Sequence, residues 1–157
     1  MEQVRTATEA DVARLVELTA GYRAATAAER GGQLSRPVDQ GGHAPEATFE
    51  AVGAYVGTRD RTALVGLLDE WVAGGALCRT EDDGTGRRGI LDLCFVEPGA
   101  REVGLGGLLL EYAVDWFRAH GCAGVDGTAL PGDREAKQFF ESAGFKARLL
   151  VMYLPLE

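Results

Sequence analysis

Apolar positions along this 157-residue chain alternate between two spacings, and the switches mark out the elements. Residues 3–7 read as a short strand. Thr8, with Asp11 three places on, resembles a capping box at a helix start. Val12, Leu15, Val16, Thr19 and Tyr22 then recur at helical spacing, so an amphipathic helix runs to about residue 27. Residues 28–44 are rich in Gly, Pro and polar side chains. They form a loop longer than the roughly 2–6 residues usual in compact domains, placed where it could border an acceptor pocket. A second helix is expected from Pro45, a residue suited to a first turn, to about residue 56.

The next segments change period. Residues 62–68 and 71–80 read as hairpin strands, and Asp82-Asp83-Gly84-Thr85-Gly86 as a turn into a third strand at 90–96. Beyond Gly104 the pattern is helical again. Leu105, Leu109, Tyr112, Ala113 and Trp116 form one stripe, with Leu110, Val114 and Phe117 beside it, so this helix packs deep against a sheet. His120-Gly121 ends it. A strand at 122–130 stops at Pro131-Gly132, Asp133 caps a helix through residue 143, and Gly144 suits the position after it. Residues 146–154 close the chain as a strand with alternation weak enough to imply burial on both faces. The predicted class is α/β: one domain over residues 1–157, with a mixed, mostly antiparallel sheet flanked by helices on both faces.

Composition narrows the function. A net charge of −8 argues against a nucleic-acid-binding surface, which needs clustered cations. No apolar run approaches the ~20 residues of a membrane span, and the N-terminus has no signal-peptide pattern. Cys78, Cys94 and Cys122 are odd in number and lack metal-ligand spacing, so no metal site is expected and a reducing cytoplasm is the default.

The candidate chemistry lies between the 90–96 strand and the helix after it. Arg101-Glu102-Val103-Gly104-Leu105-Gly106 places glycines where backbone can approach a ligand, at a helix start whose first N–H groups lack partners. That end carries partial positive charge and favours a phosphate, to which Arg101 could add a charge-assisted contact. The competing reading of Gly104 and Gly106 is close packing in a strand-to-helix turn. A dinucleotide fingerprint is not formed, because Leu109 stands where the third glycine would be.

R-x-x-G-x-G after a strand ending Val-Glu resembles the acyl-CoA loop of the GCN5-related N-acetyltransferases (GNAT). A second stretch supports it. Asp133 to Phe145, DREAKQFFESAGF, resembles the family's N-x-x-A-x-x-x-Y-E-x-x-G-F helix, about 30 residues after the glycine loop. The resemblance implies the GNAT fold and acetyl-CoA as cosubstrate, with direct acetyl transfer to a primary amine of a small molecule or peptide. It implies cofactor contacts from the backbone of Val103, Gly104, Leu105, Gly106, Gly107 and Leu108. It also implies a thioester contact at Phe95 or Val96, contacts from Asp133, Ala136 and Phe140, and phosphate contacts from Arg134 and Lys137, for which ordinary surface exposure is the competing reading. A homodimer is the family's suggestion for assembly. Two positions depart from the pattern: Asp133 replaces Asn, and Phe140 replaces the Tyr that would protonate the leaving thiolate. A phenyl ring has no proton to give, which keeps a non-catalytic acyl-CoA-binding regulatory module in view.

For the base, Asp92 is the first candidate, since burial makes a carboxylate a better proton acceptor. Alternation puts Asp92, Cys94 and Val96 on one face, opposite Leu91, Leu93 and Phe95. The competing reading is a structural Asp92 paired with Arg87 or Arg88. Asp126 is second, with Glu70 and His43 behind it. Cys94 reads as a small packing residue, and Tyr112 or Tyr153 as candidates for the missing acid.

Overall fold

In the computed structural model, residues 1–29 and 42–156 are described. The expected loop at 28–44 therefore lies largely outside the described residues. The chain opens with β1 (Glu2–Thr6) and one 3-10 turn (Glu9–Asp11), then α1 (Val12–Ala27) and the short α2 (Phe49–Gly53). Three long strands follow: β2 (Arg61–Leu68), β3 (Trp71–Asp82) and β4 (Arg87–Val96). A second 3-10 turn (Pro98–Val103) leads into α3 (Leu105–Ala119), β5 (Gly124–Asp126) and α4 (Arg134–Ser142). The strands lie side by side in chain order, antiparallel except for the parallel β4–β5 pair.

Apolar residues on the two sheet faces build two cores. On one, Leu15 and Leu18 of α1 and Val52 of α2 pack with Val65, Leu77, Leu93 and Phe95. On the other, Leu105, Leu109, Ala113 and Phe117 of α3 pack with Ala76, Cys78, Leu91 and Val96. Full burial of each such Leu or Phe contributes roughly 1.5–3 kcal/mol, so the sheet is clamped from both sides.

One irregularity in β4 matters for everything that follows. Leu77 of β3 is paired with Leu93, but Cys78 is paired with Leu91, leaving Asp92 as an extra residue in a β-bulge. The period of two therefore breaks at Asp92. Leu91 packs on the α3 face with Cys94 and Val96, whereas Leu93 and Phe95 pack on the α1 face. Asp92 points to the α1 side, toward Tyr55. This corrects the expected grouping of Asp92 with Cys94 and Val96, which assumed unbroken alternation.

Three other expectations shift. α2 begins at Phe49 rather than Pro45, because the Thr48 hydroxyl accepts the Ala51 N–H (3.1 Å) as an N-cap worth about 1 kcal/mol. Pro45 instead lies in an extended stretch. The strand expected at 122–130 is only Gly124–Asp126, paired with Arg88, Gly89 and Ile90, after which it parts from β4. The strand expected at 146–154 is not formed. Its residues run irregular and exposed, Leu150 at 80%, because three residues of β5 offer too short a ladder to pair with.

The start of α1 yields a pH test. Asp11 accepts from Arg5 (2.7 and 3.1 Å) and from the Thr8 N–H (2.8 Å). The Arg5 hydrogen bonds, helped by Thr8 and opposed by desolvation, hold the Asp11 carboxyl below the usual range. A lowered folded value means the stabilisation is complete above the ordinary aspartate value and is lost as pH falls through the folded one. Arg5→Met should cost roughly 1 kcal/mol at neutral pH, Arg5 being partly exposed, and should flatten the loss of stability below about pH 4. Urea melts at neutral and acid pH would show it, and an unchanged acid slope would exclude the pair as its source.

Candidate active site

The early parting of β5 from β4 opens a gap at that edge of the sheet. Beside that opening lies a cleft of about 820 Å³. Its walls are residues 91–96 of β4, Tyr22 and Thr26 of α1, residues 42–44, Thr128, and the first half of α4. Of the residues singled out in the sequence, His43, Asp92, Cys94, Phe95, Val96, Arg101, Gly106, Asp133, Arg134, Ala136 and Phe140 line it.

The glycine segment forms one end. Pro98 opens the 3-10 turn, and Gly104 closes it in the left-handed conformation (φ 83°) that glycine adopts at little cost. The Leu108 N–H bonds to the Gly104 carbonyl (3.2 Å). The N–H groups of Leu105, Gly106 and Gly107 precede that bond and have no acceptor within the helix, at its positive end. Leu105 is fully buried and anchors this end in the core. A Cβ on Gly106 would come within 3.3 Å of the Phe139 ring and 3.7 Å of Val96, so a larger side chain would fill the cradle. Arg101 donates to the Val96 carbonyl (2.8 Å) and lies over the Phe95 ring. Val103 is exposed, and Lys137 is exposed outside the cleft lining, where Arg134 takes part instead.

The other end is organised by Asp92, 4% exposed. Its Oδ2 accepts from the Tyr55 hydroxyl (2.6 Å) and from Arg79 Nε (2.8 Å), and its Oδ1 accepts the His43 backbone N–H (3.1 Å). Three donors thus occupy most of the roughly four lone-pair sites of the carboxylate. Burial and the neighbouring Asp92 charge push the Tyr55 phenol well above its ordinary value, so it stays a donor. The arginine on Asp92 is Arg79 of the adjacent strand, whereas Arg88 pairs with Glu81 (3.1 Å) and Asp126 (3.5 Å). Arg79 is also ion-paired with Glu81, which continues the chain of alternating charges toward β5.

Asp126 lies outside the main cleft. Arg148 grips it through two bonds (2.8 and 2.6 Å) and holds its carboxyl below the usual range. Cys94 lines the cleft half-buried, and desolvation pushes its thiol up to about 12, as expected of a packing residue. Phe140 packs against Phe139 and Phe145 and close over Gly127. Tyr22, Tyr55, Arg79, Thr128 and Phe139 were not anticipated. Their roles come from long-range contacts that local spacing does not encode.

A family model for the acetyltransferase (GNAT) family matches residues 32–145. The chain belongs to this family. Membership supports acetyl transfer as the general chemistry of the cleft. Solved GNAT-fold structures are similar over nearly the full length. A mutant protein from Bacillus halodurans superimposes with TM-score 0.81 at 20% identity, over 99% of each chain. An aminoglycoside acetyltransferase from an uncultured soil metagenomic sample, in complex with sisomicin, gives 0.71 at 16%, over 99% of this chain and 97% of that one. A ribosomal-protein-alanine N-acetyltransferase from Brucella melitensis biovar Abortus gives 0.70 at 16%, over all of both. At these identities the likeness is one of fold. No curated protein matches the sequence. Among the described residues of this GNAT chain, no His, Cys, Asp or Glu cluster could hold a metal, and no helix is long and apolar enough to cross a membrane.

Removing the Asp92 carboxylate leaves Arg79 with Glu81 alone and frees Tyr55. Asp92→Ala should cost about 3 kcal/mol in urea unfolding, the range for breaking a buried ion pair by deleting one partner. A loss below about 1 kcal/mol would show that this hub does not hold that end of the cleft together.

Proposed function

We propose that this GNAT protein is an acetyl-CoA-dependent N-acetyltransferase acting directly on a primary amine of a small molecule or peptide. One observation carries the reading: the gap between β4 and β5 and the glycine-rich start of α3 open into the same cleft. Beyond Ile90 the β5 side of β4 has no strand partner, which suits an extended, amide-bearing arm, and the helix N-terminus suits a pyrophosphate. In this reading the backbone of residues 103–108 holds the phosphates, with Arg134 closer than Lys137 to reinforce them. Asp133 caps α4 by accepting the Ala136 N–H (3.0 Å) and so sets that wall. Asp92 supplies buried negative charge at the opposite end, where a cationic amine would enter. Acetyl-CoA brings an activated thioester, and the protein's part is to hold it against the amine and manage protons.

A second reading rests on Phe140, which lines the cleft without a hydroxyl: acyl-CoA binding without turnover. The two differ in thiol release. Calorimetric titration should give micromolar affinity for acetyl-CoA, and an amine panel should then release free CoA. Gly106→Trp should weaken acetyl-CoA binding at least tenfold while circular dichroism stays native. Unchanged affinity in that variant would remove the phosphate cradle, and tight binding with no thiol release from any amine would favour the binding module.

A further inference from the structure

Residues 42–45 are sewn to three separate elements. The Gly42 carbonyl accepts the Thr128 hydroxyl (2.8 Å) beyond β5. The His43 N–H donates to Asp92 on β4 (3.1 Å). The Ala44 and Pro45 carbonyls accept from Arg23 of α1 (3.3 and 3.2 Å). Gly42 has φ 79°, and a Cβ there would sit 2.6 Å from Ile90 Cγ2 and 2.7 Å from Asp92 Oδ1. Only glycine fits so close to the bulged strand. The result is a strap across the acceptor end of the cleft, fixed at both sides of the β4–β5 gap, with the His43 side chain exposed and lining that cleft.

The groups around it divide clearly. Asp92 is sealed by three donors. Asp133 is occupied as a cap, Glu135 lies toward Arg101, and Cys94 is half-buried with its thiol pushed up to about 12. Tyr22 is raised, chiefly by desolvation. Arg23, Arg101 and Arg134 are cations, which among the described lining residues leaves Glu29, just beyond α1, and His43 as groups able to receive a proton. Of the chain's two histidines, His120 is stacked on Trp116 at the far end of α3.

Resting on the N-acetyltransferase reading, we propose that His43 is the general base and that Asp92 is a positioning residue acting through the His43 backbone. His43 takes one proton from the acceptor ammonium group. The freed nitrogen lone pair forms the C–N bond at the thioester carbonyl as the C–S bond breaks. The nitrogen's second proton passes through water to the CoA thiolate, Phe140 having none to give. The sum is amide, CoA thiol and one proton delivered from His43 to solvent. Histidine is the residue type that most often does this work, with general-base contributions of roughly 10²–10⁴-fold.

The test uses two probes at high concentration: methylamine, an ammonium ion at neutral pH, and hydroxylamine, mostly unprotonated there. CoA release is followed against pH. His43→Gln should lower kcat/KM for methylamine about a hundredfold at neutral pH and displace the acid limb of its profile upward to the ionisation of the amine itself, with a much smaller loss toward hydroxylamine. Asp92→Asn should raise KM yet keep the acid limb; should it not fold, Tyr55→Phe loosens the same anchor. An acid limb displaced in Asp92→Asn but kept in His43→Gln would overturn the assignment and make Asp92 the base. Equal losses toward both probes in His43→Gln would also overturn it. Calorimetry separates the two failures: wild-type protein that does not bind acetyl-CoA sinks the transferase reading, whereas intact binding with a wild-type-like His43→Gln profile sinks the assignment alone.

Discussion

A negative charge held almost out of water is the constraint on which this structure turns. An unpaired carboxylate in that position would be prohibitively costly, so partners must come to it. They come from three directions: Arg79 from the neighbouring strand, Tyr55 from just beyond α2, and the backbone of His43 from the segment crossing the gap. Each brings its own element into place. The bulge makes this arrangement feasible, since without the extra residue the Asp92 side chain would fall out of step with Leu93 and Phe95. The Asp92 end of the cleft is thus a by-product of satisfying one buried group.

From Asp92 the opposite charges run outward through Arg79, Glu81, Arg88 and Asp126 to Arg148. Members near the surface add little energy individually. Their order matters more, because it ties β3, β4 and β5 together at the end of the sheet opposite the glycine loop. The sheet is therefore held closed at one end by charge pairs and left open at the other, where β4 and β5 diverge.

Much of the fold was legible in the sequence because its signals are local. The Thr8 and Asp133 caps, the turn at 82–86 and the broad stripe of α3 each depend on residues within a few positions of one another. The glycine loop was legible for the same reason. What failed depended on partners distant in the chain. Thr48 overrode Pro45 as the helix start, and the 146–154 strand had no edge to join. Alternation misassigned Asp92 because a bulge is a property of two strands in register, and one strand read alone shows period two throughout. Tyr55 and Arg79 are silent in sequence: a Tyr after a helix and an Arg in a hairpin have dozens of ordinary uses.

The cysteines, unremarked in any pattern, bear on how the chemistry can be watched. Burial raises all three thiols, Cys94 to about 12, Cys78 well above its ordinary value, and Cys122 against the opposing pull of Arg87. Because the thiolate is the reactive species, the native chain at neutral pH presents almost none of it to a disulfide reagent. Colour developed by such a reagent would count the small-molecule product rather than the protein. A sudden rise in that background would instead report the sheet coming apart.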